Sequence, residues 1–112
     1  MSKSNAPAVT ALVLTLLAFH AGAATGKKPL TAEDAAVFVA RAEKRLEELS
    51  EFGARVEWVN QTYLTDDTDW LSARVGTELT ELGVKYAKKA ARFDTVDVSP
   101  HVRRKLLLLK IG

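Results

Sequence analysis

Cysteine is absent from this 112-residue chain. That excludes disulfides, thiolate nucleophiles and cysteine-ligated zinc together. It also leaves no anchor for a lipid-modified amino terminus. Histidine is nearly as scarce, with only His20 and His101. A serine nucleophile needs a histidine or comparable base beside it, and here the supply is almost nil. A helical zinc site of the H-E-x-x-H type needs two imidazoles at i and i+4, on one face, with a glutamate to activate the metal-bound water. No such spacing exists. His101, followed by Val102 and two arginines, reads as an ordinary surface histidine. No glycine-rich phosphate loop is found either, and no internal repeat.

The chain has one long apolar run, Ala8 to Phe19, which His20 and Gly22 interrupt. A membrane span needs roughly 20 apolar residues, so the run is too short to cross a bilayer. With Lys3 before it and Ala21-Gly22-Ala23 after it, the pattern is that of a signal peptide with a small-residue cleavage site, in preference to an uncleaved anchor or a core helix. Residues 1–23 are accordingly expected to be a signal peptide and 24–30 a linker. The mature chain is then expected to start near Ala24, with residues 31–112 a helical segment incomplete at its carboxyl end. The expected destination is the periplasm or the outside of the cell, with no membrane attachment once the leader is removed.

Net charge is only +2, but it is unevenly distributed. Lys27 to Gly83 holds seven basic and twelve acidic residues, and Lys85 to Gly112 holds eight basic and two acidic. A basic tail can point to nucleic acid or to an anionic membrane. Export argues against nucleic acid, and the simpler expectation is a basic segment lying against an acidic one inside a larger fold.

Two long amphipathic helices follow from periodicity. Thr31 reads as an N-cap, with Asp34 where a capping box prefers glutamate. From Ala35 through Val39, Ala42, Leu46, Leu49, Gly53 and Val56 to Tyr63, apolar or small residues recur at alternating four- and three-residue spacing, one stripe of a helix. Phe38, Phe52 and Val59 widen it. The polar run Thr65 to Asp69 breaks the pattern, and one of Asp67, Thr68 or Asp69 is expected to cap the second helix. A calcium loop is the weaker reading of those aspartates, because Trp70-Leu71 follows at once where ligand positions are required.

The second helix carries Leu71, Val75, Leu79, Leu82, Tyr86, Ala90 and Phe93 on one side. Gly76 and Gly83 share a face and are expected to admit another helix closely. Trp58, Tyr63 and Trp70 are expected to pin the corner between the helices. Asn60-Gln61-Thr62 matches the N-glycosylation pattern, a short and common match expected to be coincidental.

Ser99-Pro100 begins a third helix, serine as N-cap and proline at the first position. Its leucines, Leu106 to Leu109, with Ile111, leave no polar face at that level. A helix apolar all round belongs inside a larger body. The expected fold is therefore all-α, a long antiparallel hairpin plus a third, truncated helix.

The segment Trp58-Val59-Asn60-Gln61-Thr62-Tyr63-Leu64-Thr65-Asp66-Asp67-Thr68 resembles the first helix-helix corner of bacterial angiotensin-converting-enzyme-like peptidyl-dipeptidases, a family of zinc metallopeptidases. Ala91-Arg92-Phe93-Asp94 looks like that family's A-R-[KR]-F-D element, and Arg104 to Lys110 looks like its third helix. The resemblance implies an elongated, almost wholly helical molecule that removes dipeptides from peptide carboxyl termini with zinc. Its first helices would form a lid over a central cleft, here residues from about Thr31 to Ile111. No zinc ligand, catalytic residue or substrate-binding residue carries over, since the zinc motif has no counterpart here. The implied partner is the remainder of the peptidase domain, in cis, with zinc and peptide substrates belonging to the full-length protein. The competing expectation is a stand-alone exported helical binding or chaperone-like module that dimerises through its leucine-rich end. A weaker one is a membrane-surface protein using Arg103, Arg104, Lys105 and Lys110.

Overall fold

A computed structural model describes Gly26 and residues 28–112. The expected signal peptide, residues 1–23, lies outside the described residues, as do positions 24, 25 and 27 of the linker. The first helix, α1 (Ala32–Thr62), starts where the sequence places it. Thr31 is extended, and its hydroxyl accepts the Asp34 N–H at 3.1 Å while the Asp34 carboxylate accepts the Thr31 N–H at 3.0 Å. Aspartate thus completes the reciprocal box that usually uses glutamate. The backbone N–H of Thr31, and then its hydroxyl, hold the Asp34 carboxyl below its ordinary value, with Lys28 adding a smaller pull the same way.

The second helix, α2 (Asp66–Ala91), is capped two to four residues earlier than expected. Thr65 is the N-cap, not Asp67, Thr68 or Asp69. The reason is geometric. Thr65 adopts extended backbone (φ −143°, ψ 163°), and Thr68, three residues on, returns the cap: its hydroxyl accepts the Thr65 N–H at 3.0 Å. The Thr68 hydroxyl also lies 2.7 Å from the Tyr63 carbonyl, which ties the end of α1 to the start of α2. Thr68 is buried at this corner, and the three aspartates occupy the first turn, where the positive end of the helix dipole favours them.

The two helices run antiparallel. Along the middle of the hairpin Leu49 and Val75 are buried, and Gly53 faces side chains of α2 at close range. A Cβ added at Gly53 would fall 2.9 Å from Val75 Cγ1. The close approach expected at Gly76 and Gly83 is not found there, since a Cβ at either meets nothing within 4 Å. Nor does the apolar stripe stay covered up to the corner. Tyr63, Phe52 and Val59 are exposed, because two helices alone cannot shield a stripe that wide and α3 packs at the other end.

That other end holds the core. Ala35, Val39, Ala90, Phe93 and Leu106 form one buried cluster, with Phe38, Val102 and Leu109 packed on it. Phe38 stacks on Phe93 at 5.5 Å between centroids and meets Tyr86 edge-on at 5.9 Å. Such aromatic pairs add about 0.5–1.5 kcal/mol beyond area burial.

The third helix, α3 (Pro100–Ile111), begins at Ser99 and Pro100 as the sequence indicates, with the serine hydroxyl accepting the Val102 N–H at 3.3 Å. It folds back along α2, bringing Leu106 into full burial. The Arg103 guanidinium donates to the Phe93 carbonyl at 3.0 Å and also to the Val96 carbonyl, so one side chain closes the turn between α2 and α3. All three described elements are helices, and the all-α hairpin with a third helix is the observed fold.

Candidate functional site

Two surfaces stand apart from the ordinary polar exterior. The first is a concavity of about 620 Å³ in the angle between α3 and the hairpin. Leu46, Leu79, Val84, Leu108 and Leu109 line it. It exists because the leucine run on α3 presents apolar side chains all round while only one flank of α3 meets α2 and α1. Leu106 and Leu109 take up the covered side, leaving Leu107, Leu108 and Ile111 outward, Ile111 at 79% exposure. Glu43 and Lys105 also border the concavity, and Lys105 Nζ lies 2.6 Å from the Glu43 carboxylate. This pair sets the basic segment against the acidic one, whereas Lys110 with Asp94 at 2.7 Å is a pair within the basic segment itself.

The second surface is the tip of the hairpin. Trp58, Tyr63 and Trp70 are 69%, 69% and 65% exposed, beside an equally open Leu64. They do not pin the corner; the threonine box does. Aromatic side chains reach the core only where a third element covers them, and among the described residues none lies at the tip. The acidic residues Asp66, Asp67 and Asp69 surround this tip in the first turn of α2. Asn60, one turn before the end of α1, is half-buried with a buried Oδ1 that has no hydrogen-bond partner, so the glycosylation-like Asn60-Gln61-Thr62 sits inside a helix.

His101 is exposed in the first turn of α3. Among the described residues no group of three histidine, cysteine or carboxylate side chains comes together in a way that could hold a metal ion. No helix among them is long and apolar enough to cross a membrane. The sequence names no catalytic, cofactor-binding or metal residue, and the two surfaces that stand out among the described residues are apolar. Sequence reasoning missed Arg103 as the clamp of the α2–α3 turn. Its signal was faint: a single arginine four residues after an N-cap, whose carbonyl partners are set only by the path of the turn.

Residues 30–111 match a family model described as angiotensin-converting enzyme, a peptidase family. The chain belongs to that family. The match runs from the residue before Thr31 to the last residue of α3, so all three helices fall within it. No curated protein and no solved structure matches the chain significantly.

Peptidases of this family depend on zinc. The described residues do not fit that ion: one exposed histidine without metal-ligating neighbours cannot supply the three protein ligands that a catalytic zinc requires. No step of hydrolysis is therefore assigned to this segment. Within the matched residues the fold is a hairpin with an apolar concavity near one end and an aromatic tip at the other.

Proposed function

We propose that this chain is the N-terminal lid segment of an exported, zinc-dependent peptidyl-dipeptidase and does not cleave peptides by itself. The observation that carries the reading is the family match across all three helices, within which no residue set suits the metal. The physical state of α3 supports it. Leu107, Leu108 and Ile111 stand open to solvent, and a contiguous apolar face of this kind marks a contact with another body. In this reading the remainder of the peptidase domain covers that face in cis and holds the zinc. The leader over residues 1–23 directs the protein to the periplasm or beyond. Nucleic acid has no part in the function, and the cations of α3 serve contacts within the domain.

The competing module, a stand-alone exported helical binding protein, draws on the same exposed leucines. Sequencing the gene through and past the codon for Gly112 separates the two. The lid reading expects an open frame that reaches an H-E-x-x-H codon pattern, and a confirmed stop with no downstream remnant would overturn it in favour of the binding module.

A further inference from the structure

We propose that a second concavity, between the start of α1 and the end of α2, binds a short zwitterionic peptide. Every residue lining it belongs to these two helices, so the proposal does not depend on the lid reading. Its volume is about 440 Å³, within the range of about 300–1,000 Å³ usual for small-ligand sites. The lining combines an apolar part with a few charged groups. Phe38 and Tyr86 meet edge-on in its wall, Phe38 is itself stacked on Phe93, and Val37 stands partly open to solvent beside them. These rings are held by the core and do not need a ligand to order them.

The charged groups left over decide the ligand. Glu33, Asp34, Arg41 and Lys89 all line the concavity. Asp34 is already committed, since its carboxylate accepts the Thr31 N–H in the α1 cap. The other three are exposed, and none forms an ion pair among the described residues. On α1, Glu33, Val37 and Arg41 follow one another at i, i+4 and i+8. The carboxylate and the guanidinium are thus anchored roughly 12 Å apart along the helix axis, with an aliphatic side chain between them. Lys89 adds a second cation from α2. A simple anion leaves Glu33 unanswered, and a simple cation meets Arg41 and Lys89. A molecule with a carboxylate at one end, an ammonium at the other and an apolar side chain between them answers all three. An extended tripeptide spans roughly 10 Å, which matches the separation. Its terminal carboxylate faces Arg41, whose planar guanidinium can take both oxygens, its ammonium faces Glu33, and its central side chain lies on Val37 and Phe38.

The test titrates the isotope-labelled full chain with the tripeptide Ala-Leu-Ala, with its N-acetyl form and with its carboxamide, following backbone amide shifts by NMR. The free tripeptide should give saturable shifts at Val37, Arg41 and Lys89. Each blocked form should bind about two- to fivefold more weakly, the scale of one exposed charge pair. Arg41→Gln should reduce the preference for the free carboxylate and leave the preference for the free ammonium intact. Glu33→Gln should do the reverse, and a merely structural effect would not separate the two. Both positions are exposed, so the fold should be unaffected, which far-UV circular dichroism checks. Absence of saturable shifts at these residues, equal binding of the three peptides, or preferences that survive both substitutions would each refute the proposal. None of those outcomes touches the open face of α3, so the lid reading stands or falls separately on the gene sequence.

Discussion

Lys105 of α3 and Glu43 of α1, far apart in the chain, meet with Nζ 2.6 Å from the carboxylate. The contact joins the third helix to the first across the edge of the apolar concavity, where the two helices otherwise touch little. Exposed ion pairs contribute little on their own, since solvent screens them. This one borders the concavity beside Leu108 and Leu109, while Leu106 in the core holds α3 in place.

A double-mutant cycle over Glu43→Gln and Lys105→Met should return a coupling of about 0.5–1 kcal/mol, at the upper end for an exposed pair, and shrink in high salt. Urea denaturation of the four proteins measures it. A coupling indistinguishable from zero at low salt means the contact does not persist in solution.

Glycine substitutions should split by sign. Gly53→Ala places a methyl 2.9 Å from Val75 Cγ1 and should destabilise by about 1–2 kcal/mol despite the gain in helix propensity. Gly76→Ala and Gly83→Ala meet open space and should stabilise by up to about 1 kcal/mol each. Thermal melts of the three variants suffice, and a stabilised Gly53→Ala would show that the helices stand further apart than described.

Arg103→Ala removes two hydrogen bonds to the Phe93 and Val96 carbonyls and should cost about 1–3 kcal/mol, with fraying of α3. Arg103→Lys should fail to restore it, because a point ammonium cannot reach two carbonyls as a planar guanidinium does. Amide hydrogen exchange across Val102 to Leu109 reads the effect, and full rescue by lysine would contradict the bidentate geometry.

The capping boxes should respond to pH and to truncation in different ways. Asp34 has its carboxyl pKa lowered by the Thr31 N–H and hydroxyl, so its contribution is fully present above the unfolded value near 3.8 and is lost as pH falls through the lowered folded value. Stability differences between the wild type and Asp34→Asn should therefore narrow below about pH 4. Thr65→Ala should cost about 1 kcal/mol at every pH, since no titrating group is involved. Helicity at 222 nm against urea at several pH values tests both, and a pH-independent Asp34→Asn effect would refute the carboxylate cap.

How much was readable beforehand differs from element to element. Helix periodicity and local caps are matters of neighbouring residues, so Thr31 with Asp34 and Ser99 with Pro100 were legible from the chain alone. The α2 cap was misplaced to Asp67–Asp69 because several short polar residues in a row all suit a cap, and only the backbone path picks Thr65. Glycines and aromatics were misjudged for a related reason. Whether Gly53 or Gly76 faces a neighbour, and whether Trp58 and Trp70 are covered, depends on where a third helix lies. No local pattern states that.

By itself, the order of residues determined three helices, their apolar faces, the lack of a histidine pair for a metal, and a charge distribution that set basic α3 against acidic α1. These follow from spacing and side-chain chemistry within a turn or two. The tertiary structure alone decided that α3 packs at the Phe38–Phe93 end, that Arg103 clamps the turn, that Gly53 carries the close approach, and that Leu46, Leu79, Val84 and Leu108 line one concavity. Each of these depends on residues distant in the chain arriving at the same place, and hydrophobic burial, being non-directional, selects that meeting only once all three helices compete for the same core.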